Sequence, residues 1–321
     1  MRIVIHIGFH KCGSTALQYG MAKSRGFLAA QNVSYPAALA IEDGHHALAW
    51  ALGGQKREGM PDLSAAQILD TWIAEAVSRN CTNLVLSSEE FEFSTEADIQ
   101  KLKILLQHHD AEIHAYLRPQ DEYLLAEYKQ HVRMSETAFS GSIENFYFKH
   151  FQHLNAQLDY YRIIRRWADV FGAARIKLTS FDRKGMIGGD ILEDFIAAIG
   201  LQPFPWPEQR DVNLSWSNTA TKILAAINKI GISPAKRWYL ATHLDRIVRD
   251  CGHEIELLDG QSRGGIMNGF HHGNQKLLIE FRPRGDAARL VNRVLPEDRP
   301  QNADDAMLAV LIQLVAEIVG K

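Results

Sequence analysis

Apolar and polar positions alternate along this chain in two periods, and the first apolar run comes almost at once. Ile3, Val4, Ile5 and Ile7 form a short, mostly β-branched stretch, the pattern of a central parallel strand buried on both faces. Gly8 and Gly13 bracket a turn, and Ser14 and Thr15 open a helix predicted to run to about Ala30. Asn32 to Pro36 reads as a short strand or turn. Residues 37–62, which hold His45, His46 and several glycines, read as a loop carrying a short helix. Ser64 caps a helix through Ile68, Trp72 and Val77. Leu84-Val-Leu is a second buried strand, ending in Ser87-Ser88-Glu89-Glu90. A helix near Ala97 to Gln107 and a strand from Glu112 to Arg118 follow. Pro119, with Asp121 and Glu122 just beyond it, marks the next helix start. Apolar residues recur at helical spacing from Leu154 to Phe171, and Gly172 stops them. Arg175 to Phe181 is another strand, and Ile191 to Gly200 another helix. Strand and helix alternating from residue 3 to residue 200 predicts an α/β fold, a central parallel sheet with helices on both faces.

Pro203-Phe-Pro-Trp-Pro207 interrupts this rhythm. Beyond it the pattern is mainly helical: Asn218 to Ile230, Pro234 to Cys251, and Asp304 to Val319. The division predicted is a core over residues 1–202 and a mainly helical C-terminal extension over residues 203–321. The last helix has a stripe of Met307, Leu308, Leu311, Leu314, Val315 and Ile318, read as core packing, with a homodimer contact as the second reading. The Gly-rich segment 261–274 reads either as a loop closing over a ligand or as a disordered loop.

Composition changes this picture little. The apolar fraction, 46% of 321 residues, suits a globular chain with a large core. A net charge of −3 points away from nucleic acid and anionic membrane, so a basic site has to be a local pocket. Cys12, Cys81 and Cys251 form neither a disulfide framework nor a zinc pattern. A strand beginning at residue 2, with no apolar run of membrane-spanning length, predicts a cytoplasmic chain without a signal peptide or membrane span.

The chemistry centres on the first turn. A strand, a glycine-bracketed turn and a helix start make an anion site, because the first N–H groups of a helix have no internal partners and face the positive end of its dipole. Lys11 adds a full charge. The nucleotide-binding pattern G-x-x-x-x-G-K-[ST] puts its Lys directly after the second Gly, whereas Lys11 stands two residues before Gly13. Lys11-x-Gly13-Ser14-Thr15 resembles the 5′-phosphosulfate loop, usually Lys-Thr-Gly-Thr-Thr, of sulfotransferases that use 3′-phosphoadenylyl sulfate (PAPS). Tyr116 to Gln130, Leu158 to Gly172 and Phe181 to Phe195 resemble further segments of the bacterial branch of that family, so the likeness covers most of residues 1–230. It implies a P-loop NTPase-like sulfotransferase fold, PAPS as donor, 3′,5′-bisphosphoadenosine (PAP) as product, and no metal. It implies that Arg118 grips the 3′-phosphate, and that Ala126 stands where the family has a Ser donor. Cys12 replaces the usual Thr. The alternative is a glycine-rich turn that binds nothing.

By the logic of phosphoryl transfer, which demands positioning and charge stabilisation, Lys11 is the candidate to neutralise the leaving 5′-phosphate. His10, Cys12, Gly13, Ser14 and Thr15 complete the cradle. The acceptor hydroxyl needs a base. Glu89, at the ligand edge of the sheet, is the first candidate. His46 and His45 are alternatives, and His10 a weaker one. Against these stand plainer roles: a helix cap for Glu89 or Glu90, a salt bridge for Arg118, and a solvated turn for Arg183 and Lys184. The expected activity is sulfuryl transfer to a hydroxyl of a carbohydrate, glycolipid or small molecule. A P-loop-type kinase, or a nucleotide-binding homologue impaired by Cys12 and Ala126, are the other classes.

Overall fold

The apolar runs become five strands, all parallel: β1 (Arg2–His6), β2 (Val33–Ser34), β3 (Asn83–Ser87), β4 (Asp110–Leu117) and β5 (Ile176–Ser180). The computed structural model describes residues 1–205, 216–252 and 254–292. The strand order is β2-β3-β1-β4-β5. β1 is therefore central, and its last residue, His6, pairs with Ser87 on one side and His114 on the other. Ile3, Val4, Ile5 and Ile7 are all fully buried, as a strand covered on both faces requires.

The helices in chain order are α1 (Ser14–Lys23), α2 (Arg25–Ala30), α3 (His46–Leu52), α4 (Ala65–Ser78), α5 (Glu96–Leu105), α6 (Gln120–Arg133), α7 (Ile143–Lys149), α8 (Phe151–Leu158), α9 (Tyr160–Phe171), α10 (Ile191–Ala198), α11 (Asn218–Ile230), α12 (Pro234–Cys251) and α13 (Gly260–Phe281). Ser64 and Gln67 form a reciprocal capping box on α4, and Thr95 with Asp98 another on α5. α11 and α12 end at Gly231 and Gly252 in left-handed conformation.

Three expectations need correction. The helix predicted from Thr15 to Ala30 is two, broken at Ser24. There Arg25 donates to the carbonyls of Ala22, Tyr35 and Pro36, clamping the chain where it turns back toward β2. The helix predicted from Leu154 to Phe171 is also two, because Asp159 restarts it: its carboxylate accepts the N–H of Arg162 as the cap of α9. The segment 261–274, expected as a loop, lies inside α13. Buried Arg263, Asn274 and Leu277 anchor that helix, and tertiary anchors override the helix-weakening effect of glycine. The helix expected over Asp304 to Val319 lies outside the described residues.

The chain forms two compact units. The first contains residues 1–118, 159–205 and 270–292, and the second residues 119–158, 216–252 and 254–269. The first holds the sheet. Trp72, Phe91, Trp167 and Phe195 bring aromatic mass onto it from the surrounding helices, all of them fully buried. Beside β5, Arg284 donates its N–H to the carbonyl of Leu178 and accepts from Ser180, both at 2.8 Å, so a later piece of chain covers that edge. In the second unit, the Arg237 guanidinium takes the carbonyls of Val132, Arg133 and Met134 at the end of α6. There Arg263 bridges the carboxylates of Asp121 and Glu256.

Candidate active site

β1 and β4 are neighbours, yet the connection leaving β1 leads to β2 at one edge of the sheet and the chain leaving β4 leads to β5 at the other. Such a divergence opens a crevice at the carboxyl ends of the strands, where parallel α/β sheets bind ligands. Three neighbouring strands end around it. β1 runs into the turn Ile7 to Gly13, β3 into Glu89, and β4 into Arg118.

The turn is shaped by close approaches. Gly8 has φ of 71°, and a Cβ placed on it would stand 2.3 Å from Glu89 Cα, so only glycine lets the turn lie against the β3 extension. Lys11 itself has φ of 61°. Cys12 is fully buried and its N–H closes onto the Phe9 carbonyl at 3.3 Å. The Ser14 hydroxyl donates to that same carbonyl at 3.3 Å, whereas Thr15 is exposed. Gly13, at φ 81°, precedes α1. No side chain caps that helix, and no acidic residue lies in its first turn. An uncapped N-terminus beside a lysine fits an anion.

Arg118 reaches the same place through an aromatic ring. Its guanidinium lies 4.5 Å from the centre of Phe181. A Cβ on Gly13 would approach that ring to 2.9 Å, so one side chain touches both anion-binding candidates. The Arg118 carbonyl accepts from the Tyr160 hydroxyl at 2.8 Å, fixing the end of β4. Ala126 lies half-buried on α6 in the second unit. Arg183 and Lys184 are exposed in the turn after β5.

The base candidates separate by environment. Glu89 opens a short 3-10 turn, Glu89–Phe93, and Ser88 rather than either glutamate caps it, accepting the Glu90 N–H at 3.2 Å. The Glu89 carboxylate accepts from Gln18 Nε2 at 2.7 Å and lies 4.0 Å from His46 Nδ1. His46 Nδ1 is also 2.8 Å from the Ser88 hydroxyl. His45 is fully buried. Its Nδ1 accepts the Ser87 N–H at 3.1 Å and its Nε2 lies 3.2 Å from the Pro36 carbonyl, so both ring nitrogens are engaged. Burial pushes its pKa down to about 3. His10 bears on the turn from another direction: its Nδ1 is 2.7 Å from Glu92 Oε1 and its backbone N–H donates to Glu92 Oε2 at 3.0 Å.

Two of these side chains have no role in the sequence reading. Gln18 sits one turn beyond Ser14 on α1 and is buried; a polar residue between Leu17 and Met21 on an otherwise core-facing helix start was the available signal. Glu92 is buried between Phe91 and Phe93, and no pattern in the sequence ties it to His10.

No protein-family model matches the sequence. An uncharacterised protein of Archaeoglobus fulgidus is 30% identical over 204 residues, which is 62% of this chain and 53% of that protein. The chain thus spans about half the length of the curated relative it matches. Among solved structures, a sulfotransferase from Alicyclobacillus acidocaldarius is similar with a TM-score of 0.49 and 14% identity, over 90% of this chain and 99% of its own. Among the described residues, no helix is long and apolar enough to cross a membrane.

Proposed function

We propose that this protein transfers the sulfuryl group of PAPS to a hydroxyl acceptor. The supporting observation is the convergence of the Lys11 turn, the uncapped start of α1, Glu89 and Arg118 at the ends of three adjacent strands. In this reading the N–H groups of Gly13, Ser14 and Thr15 hold the 5′-phosphate. Lys11 neutralises the negative charge that grows on the bridging oxygen as it leaves. Arg118, steadied on Phe181, takes the 3′-phosphate through its planar donor fork. Glu89 accepts the proton of the acceptor hydroxyl. The acceptor oxygen forms a bond to sulfur, the bond from sulfur to the bridging oxygen breaks, and PAP departs with both electrons of that bond. The product is a sulfate ester of a carbohydrate, glycolipid or small alcohol.

Two measurements test this. PAP without Mg²⁺ raises the melting temperature, because a ligand that binds only the folded state stabilises it. Equal or better stabilisation by Mg·ATP turns the assignment to a kinase. Lys11→Ala lowers single-turnover transfer about a hundredfold, the scale of a lost electrostatic stabiliser, with a much smaller loss of PAP affinity. Intact turnover in that variant refutes the role given to the turn.

A further inference from the structure

The steps above give no task to Gln18, a buried polar side chain that touches Glu89. Gln18 is 4% exposed, and its Nε2 lies 2.7 Å from Glu89 Oε2 and 3.3 Å from Ser87 Oγ. An ionised carboxylate only accepts hydrogen bonds, so the amide must face Glu89 with its NH₂ and not its oxygen. The two hydrogens of that NH₂ account for both contacts. Ser87 is itself held in the core, with its Oγ 2.8 Å from Nδ1 of His6, the fully buried last residue of β1. Burial drives the pKa of His6 down to about 3, so it stays neutral at physiological pH and presents a constant partner to Ser87. A connected line of hydrogen bonds thus begins in the middle of the sheet, passes through Ser87 and Gln18, and ends on one oxygen of Glu89. Among the described residues, no hydrogen bond reaches the other oxygen, Oε1.

We propose that Gln18 is a positioning residue for Glu89: it occupies Oε2 and so aims Oε1 at the acceptor hydroxyl. This rests on the sulfotransferase reading and on Glu89 as its base. The main chain of Glu89 is located by its approach to Gly8, and the amide of Gln18 fixes the remaining freedom, the side-chain torsions. A reacting group displaced by about an ångström can lose two orders of magnitude in rate.

The test is a double-mutant cycle on the full chain, using Gln18→Met, which keeps the length and removes the donor. Gln18→Leu is measured alongside, so that a folding defect in one variant does not decide the matter. Single-turnover transfer falls about tenfold in either variant while PAP affinity is unchanged. In a Glu89→Gln background the same change at residue 18 has no further effect, because a residue acting through Glu89 has nothing left to position. An equal loss in both backgrounds, or no loss in the wild type, overturns the proposal. A crystal structure of Gln18→Met supplies a readout independent of activity: Glu89 leaves its present rotamer, and an unmoved carboxylate also overturns it. Failure of PAP to bind, or normal turnover by Glu89→Gln alone, defeats the underlying reading instead, and the Glu89 rotamer in the variant still decides whether Gln18 positions it.

Discussion

The turn between β1 and α1 and the early part of α13 are both rich in glycine and histidine, and they fold in opposite ways. In the turn, Gly8 and Gly13 hold left-handed φ, and each is pressed against another part of the structure, the Glu89 backbone or the Phe181 and Ile191 side chains. In α13, Gly265 and Gly269 are helical and exposed, and a Cβ on either would meet nothing within 4 Å. Glycine is a requirement in the first region and only a cost in the second. The surroundings make the difference. The turn follows a fully buried β-branched strand and must bring the chain past the end of β3. α13 is held by Arg263, Asn274 and Leu277, spaced eleven and three residues apart and so placed on one helical face.

The largest expected effect is Gly8→Ala. A left-handed alanine costs about 1–2 kcal/mol, and forcing a methyl group into a packed contact adds about 1–3 kcal/mol. Urea denaturation should show a loss of about 4 kcal/mol or failure to fold. A loss under 1 kcal/mol would mean that the turn yields, and the contrast with α13 would collapse.

Acid sensitivity sharpens the contrast next, because β1 leads into the turn through His6. His6 and, near α3, His45 have folded pKa values of about 3 against an ordinary value of 6.5, both through burial. The unfolded chain therefore binds protons that the folded one refuses. Their contribution is fully present above about pH 7 and is lost progressively as pH falls through 6.5 toward 3. Between pH 6.5 and 5.5 the two together remove about 2 kcal/mol of stability, by the same linkage. Denaturation curves across that interval measure it, and a flat response would contradict the burial of both rings.

The smallest effect has the opposite sign. Gly265→Ala and Gly269→Ala should each raise stability by about 0.5–1 kcal/mol, the helix-propensity gain at an exposed interior position. A melting temperature lowered by either change would show that the glycine meets something, and would make the two regions alike after all.

Much of the architecture could be read from residue order, because its signals are local. The β-branched run at Ile3, the cap at Ser64, the stop at Gly172, and both ends of α11 and α12 depend on neighbours a few positions away. The Lys11-x-Gly13-Ser14-Thr15 order is local in the same way, and it placed the glycine turn and the helix start at Ser14. Tertiary structure alone decided the rest. It set the order β2-β3-β1-β4-β5, and with it the switch in connection direction between β1 and β4. It broke the first helix at Ser24, where Arg25 reaches the carbonyls of Tyr35 and Pro36, and it carried α13 through a glycine-rich stretch by burying Arg263, Asn274 and Leu277 of that helix. It tied both nitrogens of His45 to backbone groups while leaving its neighbour His46 beside Ser88 and Glu89. Gln18 meets Glu89 across 71 positions of sequence, and His10 meets Glu92 across 82. A hydrogen bond acts over about 3 Å, so contacts made by residues so far apart along the chain exist only once the sheet has brought its strand ends together.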